Sequence, residues 1–320
     1  MPSWPSLSGA SGAPGHSEQL GYPYLPTGAD NCETLIPQQL PETLPFYFPP
    51  SYDVVFEAAP SGYINPRAMV QAQLTIAEKQ GVEIIREQVE EVSPIADKVI
   101  VTLANKQRLE AKKVLVATGA FTNCFGLVNR KLAVKAEGIT TVLAELPREE
   151  VNRLQHTPPI NYKVATGPLG HLTILPPLRY PDDRFYIKVV CFTDADPILP
   201  DFPSLNAWFS QPDNFPYLSD VQLFLQTLIP DLRVSSWQVK PCVGAYTPSG
   251  KPFIDCLVPN QIYLAVGGNG GSAHPSDALG YLAAELMQSG AWSADIDPTP
   301  FQIQFADEWG EWMQESSMEA

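Results

Sequence analysis

The residues with the clearest chemical potential form a glycine-rich run at 266–287, VGGNGGSAHPSDALGYLAAELM. The run follows the apolar stretch IYLAV and precedes an amphipathic one, and its glycines and central asparagine are Gly267, Gly268, Asn269, Gly270 and Gly271. Glycines between a strand and a helix N-terminus let backbone N–H groups approach a bound cofactor, carbonyl or anion. A mobile loop is the alternative, and the flanking strand and helix signals favour it less.

A second candidate lies in KKVLVATGAF at 112–121, where Thr118 and Gly119 follow an apolar strand. Open α/β sheets bind their ligands at the carboxyl ends of parallel strands. Taken alone, an ordinary strand-terminating turn explains these two residues better. A third stretch, PCVGAYTPSGKPFID at 241–255, has a turn at 248–250 and by itself predicts a hairpin.

The elements that would position these residues are signalled locally. Asn65 is a suitable helix cap, Pro66 suits the first turn and Gly81 suits the C-terminal end. Residues 82–85 then predict a short strand. VIVTL at 99–103 and the strand before Thr118 predict two more, the latter apolar enough to be buried on both faces. These segments predict a parallel α/β layer with a small antiparallel insert.

The middle of the chain has a different composition and hydrophobic pattern. TTVLAEL, HLTILPPL and RFYIKVVCF are rich in β-branched and aromatic residues and are separated by proline and aspartate turns. They predict an antiparallel sheet with one clear helix in SDVQLFLQTLIPDL. The α/β pattern then returns, with a buried strand in QIYLAV and a helix over 276–287 that ends at Gly290.

Composition and charge exclude several classes of protein. The 320 residues are 44% hydrophobic and 17% charged, and the net charge of −15 disfavours nucleic acid as a partner. No apolar run approaches the ~20 residues of a membrane helix, and the N-terminus lacks the pattern of a secretory signal. Five cysteines without paired spacing fit a reducing compartment. We expect a soluble cytoplasmic protein without a membrane partner or a metal site.

In order and spacing, GYINP, GVEI…QVEEV, VLVATGA, YTPSGKPFID and YLAVGGNGG…ALGYLAAEL resemble the FAD-dependent D-amino-acid oxidase superfamily, closest to its sarcosine-oxidase-like branch. The resemblance implies oxidation of a C–N bond of a small-molecule amine or amino acid, with hydride transfer to the flavin and reoxidation by dioxygen. It also implies that the backbone at Val89 meets the adenine and that Thr118 and Gly119 lie near the ribose and pyrophosphate. The flavin ring would be wrapped by Gly267, Gly268, Asn269, Gly270, Gly271, Ser272 and Ala273.

On this basis the chain divides into four parts. Residues 1–55 are a proline-rich, partly disordered segment, with 1 to about 28 poorly ordered. Residues 56–126 and 242–305 form a discontinuous FAD-binding domain, and 127–241 an antiparallel substrate-binding sheet. Residues 306–320 form an acidic tail, and we expect the chain after 297 to be peripheral. The fold class is α/β (α+β), a truncated Rossmann-like layer with a parallel sheet plus an antiparallel sheet.

Cys242 is the candidate for a covalent bond to the flavin. In the resembling branch, such a cysteine stands thirteen residues before the aspartate that ends the FID-type strand, and Cys242 stands thirteen residues before Asp255. A thiolate attached to the ring would raise its potential and retain the cofactor. The alternative is a buried free cysteine that packs as a small hydrophobe.

Lys188, in FYIKVV, occupies the position of the branch's lysine that faces the flavin and helps dioxygen to accept electrons. A cation there would stabilise developing negative charge. An outward-facing strand lysine explains the same residue equally well.

Two positions depart from the family pattern. His274 stands where related oxidases place a lysine that holds the substrate carboxylate, so it would contact substrate or flavin; an ordinary helix-entry histidine is the alternative. Gly244 stands where the glycine-oxidase branch places a carboxylate-binding arginine. The substrate therefore need not be a simple amino acid.

The larger departure is the absence of a GxGxxG turn, which family members carry near the N-terminus for the dinucleotide. Three hypotheses follow. The chain is the C-terminal portion of a flavin amine oxidoreductase, a subunit whose dinucleotide-binding half comes from a second chain, or a non-catalytic descendant that serves as a binding module.

Overall fold

A computed structural model describes residues 6–10, 32–40, 44–57, 62–164, 167–210, 215–292 and 295–315. The strands are β1 Ser6–Ala10, β2 Cys32–Leu35, β3 Asp53–Glu57, β4 Val89–Ile95, β5 Lys98–Leu103, β6 Arg108–Ala111, β7 Val114–Val116, β8 Lys135–Glu145, β9 Ile160–Lys163, β10 Leu169–Arg179, β11 Phe185–Thr193, β12 Ser236–Tyr246, β13 Phe253–Val258 and β14 Ile262–Val266. The α-helices are α1 Pro66–Lys79, α2 Arg148–Leu154, α3 Phe202–Phe209, α4 Leu218–Leu228 and α5 Ser276–Ser289.

The largest sheet has eight strands in the order β12-β8-β11-β10-β9-β1-β3-β2. Its pairs are antiparallel except for β1 with β9. Alternation along β11 turns Ile187, Val189 and Cys191 into the main hydrophobic core, where Val221 and Leu225 of α4 pack against the sheet. The predicted antiparallel sheet is confirmed. One helix, α4, was expected in this part of the chain, and the structure has α2 and α3 there as well.

The described residues also form two three-stranded sheets, in the orders β13-β14-β7 and β4-β5-β6. Strand β14 is parallel to β7 and antiparallel to β13, while the β4-β5-β6 sheet is wholly antiparallel. The α/β class with an antiparallel sheet is therefore confirmed, and the expected parallel layer consists of one parallel pair in a mixed sheet.

Both predicted helices of this α/β part are present, with the expected ends. Asn65 Oδ1 accepts the Ala68 N–H at the start of α1, and Gly81 (φ 90°) follows its end. Helix α5 ends at Gly290, whose φ of 75° is left-handed. Ala283 and Leu286 of α5 are buried against Ile254 and Tyr263 of the mixed sheet. None of the helices in the described ranges is long and apolar enough to cross a membrane.

Three local predictions are wrong. Residues 82–85 form no strand, because no described segment pairs with them, and Val82 and Ile85 are exposed. Strand β7 is not buried on both faces: it lies at a sheet edge and Leu115 is exposed. The turn at 248–250 forms, but β12 and β13 enter different sheets, so it joins no hairpin.

The two chain ends also differ from expectation. Residues 6–10 form β1 between β9 and β3, whereas the rest of the segment predicted to be poorly ordered lies outside the described residues. Near the other end, Ile303, Phe305 and Met313 pack on the core of the mixed sheet. The segment from 298 to 315 is therefore packed against the core and is not peripheral.

Candidate functional site

The candidate site is built on one face of the β12-β8-β11 end of the large sheet. Lys188 and Gln238 lie opposite Leu143 on its two sides, and Cys242 lies opposite Ile139. Directly paired residues of antiparallel strands project to the same side, and so do residues four apart. Lys188, Gln238 and Cys242 therefore share the face opposite the main core, which we call the site face.

Lys188 is half-buried on the site face. Its ammonium has no ion pair or hydrogen bond within the described part of the chain. Beside it, Gln238 Nε2 donates to Tyr186 Oη at 3.0 Å, and that hydroxyl donates to Asp182 at 2.7 Å. Burial, with the Asp182 contact, raises the pKa of Tyr186. A half-buried cation without a carboxylate partner is suited to an incoming negative charge.

Cys242 is exposed on the site face, so the interpretation as a buried packing cysteine is wrong. Its carbonyl accepts the indole N–H of Trp208 at 2.7 Å, which fixes the backbone from the other side of the sheet. In contrast, Cys124 and Cys191 are buried, and burial raises the pKa of both thiols. Cys242 is thus the accessible thiol of the site face.

Asn269 fastens the glycine turn to the end of β12. Its N–H donates to the Ala245 carbonyl at 2.8 Å, its side-chain oxygen accepts the Thr247 N–H at 2.9 Å, and its amide donates to the Gly267 carbonyl. Gly267, Asn269 and Gly270 have φ of 79°, 48° and 71°. The turn therefore lies in a fixed position at the end of the site face.

The position of the Tyr246 ring explains why residue 244 has no side chain. An added Cβ on Gly244 would lie 2.5 Å from Tyr246 Cε2, so the ring folds back along its own strand over that glycine. A Cβ on Gly270 would lie 3.9 Å from the Tyr246 hydroxyl. The ring thus fills the space between Gly244 and the glycine turn.

Thr118 and Gly119 stand at the carboxyl end of β7, and the glycine turn stands at the carboxyl end of its parallel neighbour β14. The two stretches therefore lie at the same edge of the mixed sheet, as predicted. Thr118 Oγ1 lies 3.1 Å from Thr122 Oγ1. Gly119 has φ 54°, and no atom lies within 4 Å of where its Cβ would be.

The remaining predicted residues lie outside the three strands of the site face. Val89 begins β4 and pairs with Leu103 in a separate sheet, which is joined to the segment after Gly119 by hydrogen bonds of Gly126 with Glu90 and Val92. Ser272 donates its hydroxyl to the Gly268 carbonyl, and Ala273 and His274 are exposed where the turn enters α5. The described contacts of His274 are confined to this turn.

Sequence reasoning missed Gln238 and Tyr246. Each stands four residues from Cys242 on β12, so strand alternation around that cysteine was a sufficient signal for both. The role of Tyr246 required the structure, because it depends on the ring lying over Gly244.

A protein-family model described as FAD dependent oxidoreductase matches residues 13–286. Among curated proteins, none matches the chain.

Several solved flavoenzyme structures share the fold. Amadoriase I from Aspergillus fumigatus, a fructosyl amine:oxygen oxidoreductase, is 15% identical with a TM-score of 0.72 over 98% of this chain and 72% of its own. NikD, an amino acid oxidase essential for nikkomycin biosynthesis, is 17% identical with a TM-score of 0.65 over 94% and 77%. Amadoriase II from the same fungus, a fructosamine oxidase, is 17% identical with a TM-score of 0.67 over 91% and 68%.

Proposed function

The chain belongs to the FAD dependent oxidoreductase family, and from that premise we propose that it oxidises a carbon–nitrogen bond of a small-molecule amine or amino acid. The observation that carries the proposal is the site face. There, a half-buried unpaired lysine and an exposed thiol share one side of the sheet, and a fixed glycine turn closes its end. The names of the amadoriases and NikD, which denote oxidases of amines and amino acids, support this substrate class.

The residues at this end of the sheet fit the ring of FAD, the cofactor of the family. Gly270 is exposed, a Cβ there would be in ordinary contact with the Tyr246 hydroxyl, and the positive φ values of the turn bring backbone, not side chains, to that surface. Bound there, FAD would supply the hydride acceptor for the substrate C–H bond. Glycines 267, 268, 270 and 271, with Asn269, Ser272 and Ala273, would form the wall beside it.

Lys188 would serve the oxidative half of the reaction, with dioxygen as the electron acceptor. Its ammonium is held on the site face by the strand and is not neutralised by a neighbouring carboxylate in the described part of the chain. His274 is proposed to contact the substrate from the entry to α5, where its ring is exposed.

Cys242 is proposed as a covalent attachment point for the flavin. The test is the visible spectrum of the purified chain, repeated after acid precipitation, for wild type and Cys242→Ser. We expect flavin bands in the wild-type pellet and in the Cys242→Ser supernatant. Bands released from wild-type protein would reject the covalent bond, and a chain that takes up no flavin would count against the oxidoreductase proposal.

A second candidate function, a subunit or portion that works with a separate dinucleotide-binding unit, is favoured by one region. Leu115 is exposed on β7, which is an edge strand of the mixed sheet among the described residues, and Val70, Ile76, Val82 and Ile85 are exposed in the chain before it. An exposed apolar edge of this kind invites another strand. The test is co-expression with a GxGxxG-containing chain encoded next to this one. A stable flavin-loaded complex would support the candidate, and flavin-loaded chain without a partner would reject it.

A further inference from the structure

We propose that the flavin site of this chain binds the isoalloxazine ring and gains no affinity from the adenosine diphosphate half of FAD. The inference rests on the proposed function, because it concerns the same site. It follows from three features of the edge at which β7 and β14 end.

The first feature is that the glycine turn uses its own N–H groups. Those of Gly271 and Ser272 donate to the Gly268 carbonyl, that of Asn269 to Ala245, and that of His274 to Gly271. A diphosphate cradle needs several backbone donors that point outward together. Of the eight backbone N–H groups from 267 to 274, four are therefore used to hold the turn in place and do not face a diphosphate.

The second feature is the first turn of α5, which carries the carboxylate of Asp277. That carboxylate accepts a hydrogen bond from Gln73 of α1 at 2.8 Å. Negative side chains in the first turn are stabilised by the helix dipole in the same way as a phosphate is. The Asp277 carboxylate therefore already interacts with the positive end of the α5 dipole, and it repels a second anion there.

The third feature is the charge of the segment beyond β7. The segment that follows Gly119 is hydrogen-bonded through Gly126 to β4. The chain before and at the start of β4 is acidic, with the carboxylates of Glu83, Glu87, Glu90 and Glu91. Lys106 pairs with Glu90 at 2.7 Å, and Arg86 is the one basic residue between 82 and 92. A pyrophosphate that reached β4 from Gly119 would meet a segment with more carboxylates than cations.

The site face, in contrast, offers groups that suit the flavin ring. Lys188 is unpaired within the described residues, Gln238 offers an amide, and Tyr246 offers a flat aromatic surface beneath the glycine turn. These groups suit an uncharged, planar, hydrogen-bonding ring. Among the described residues, the groups suited to a flavin therefore lie beside the ring and not beside the pyrophosphate.

The experiment is a set of equilibrium titrations of the full chain with riboflavin, FAD and ADP, in the Cys242→Ser variant so that binding stays reversible. We expect riboflavin and FAD to bind within about 3-fold of each other and ADP not to compete. A diphosphate cradle would instead make FAD tighter by about 10³-fold, from a helix N-terminus and several backbone hydrogen bonds together. An FAD preference above about 100-fold, or displacement of riboflavin by ADP, would overturn the inference and leave the proposed function standing.

Matched variants locate the binding. Gly270→Ala places a side chain at φ 71° on the proposed ring surface and should weaken riboflavin and FAD by the same factor. Gly280→Ala adds the same methyl group to α5 where no atom lies within 4 Å, and should change neither. Unequal effects of Gly270→Ala on the two flavins would contradict the inference. Failure of every flavin to bind would overturn it together with the proposal that this chain holds the cofactor.

Discussion

At the scale of the residue, strand alternation decides what a charged side chain does. Lys188 and Val189 are neighbours on β11, yet Val189 is fully buried in the main core and Lys188 lies on the site face. Lys135 shares that face of β8 and is fully buried. Within the described residues, the Lys188 ammonium is therefore unpaired, whereas the Lys135 ammonium is paired and stabilises the fold.

Replacing Lys188 with Met should slow electron transfer to dioxygen by about 10²–10³-fold, the usual effect of removing one charge-stabilising group. The half-reaction with the amine substrate should change by less than about 3-fold. Stopped-flow measurement of the two half-reactions separates them, with Lys112→Met, an exposed lysine before β7, as the control. Equal slowing of both would remove Lys188 from the dioxygen role.

Lys135→Met should destabilise the chain by about 3–5 kcal/mol, because it removes the cation that is paired with a buried carboxylate. Lys135 Nζ lies 3.2 Å from Glu137 Oε1, 4.2 Å from the Trp312 ring centroid, and donates to the Trp312 and Glu315 carbonyls. Urea unfolding measures the loss. Lys98→Met, which breaks the exposed pair with Glu110, should cost less than about 1 kcal/mol. Similar losses in the two variants would contradict this account.

At the scale of the element, the glycine turn between β14 and α5 is held by its backbone conformation and by contact with Thr247. Gly267→Ala should cost about 2–4 kcal/mol, since φ is 79° and the new methyl group would collide with Thr247 Cγ2. Thermal or urea unfolding measures it, and Gly280→Ala should instead stabilise by up to about 1 kcal/mol.

The double variant Gly267→Ala with Thr247→Ser separates the two causes. Serine keeps the hydroxyl that donates to the Lys251 carbonyl but lacks the colliding methyl group. Part of the lost stability should return, and the part due to positive φ should remain. A double variant as unstable as Gly267→Ala alone would show that the collision contributes nothing.

At the scale of the whole molecule, two titratable groups, the buried Asp196 and the half-buried His171, give the stability opposite dependences on pH. Burial raises the pKa of Asp196 to about 6, whereas burial lowers the pKa of His171 to about 4. The folded state therefore favours protonated Asp196, and this contribution is lost as pH rises through about 6. It favours neutral His171, and that contribution is lost as pH falls from about 6.5 toward 4.

Comparison with Asp196→Asn isolates the carboxyl group. Relative to the variant, wild-type stability should fall by up to about 3 kcal/mol between pH 4 and pH 7, because that free energy corresponds to a carboxyl pKa raised from 3.8 to about 6. Urea unfolding across this range measures the difference, and the His171 contribution cancels. A difference that is constant with pH would contradict the raised pKa of Asp196.

The sequence by itself determined the elements whose signals are local. The caps of α1 and α5, the strands β8, β10, β11 and β14, and the glycine turn were all predictable, since propensity, alternation and capping act over a few residues. The order of the family's motifs along the chain could likewise be recognised from the sequence.

Only the tertiary structure decided which strands pair and which faces are covered. It separated β12 from β13, left 82–85 unpaired, exposed Cys242 and buried Lys135 beneath Trp312. Such outcomes depend on partners distant in sequence, because a strand's second face and edge are completed by whatever segment packs there.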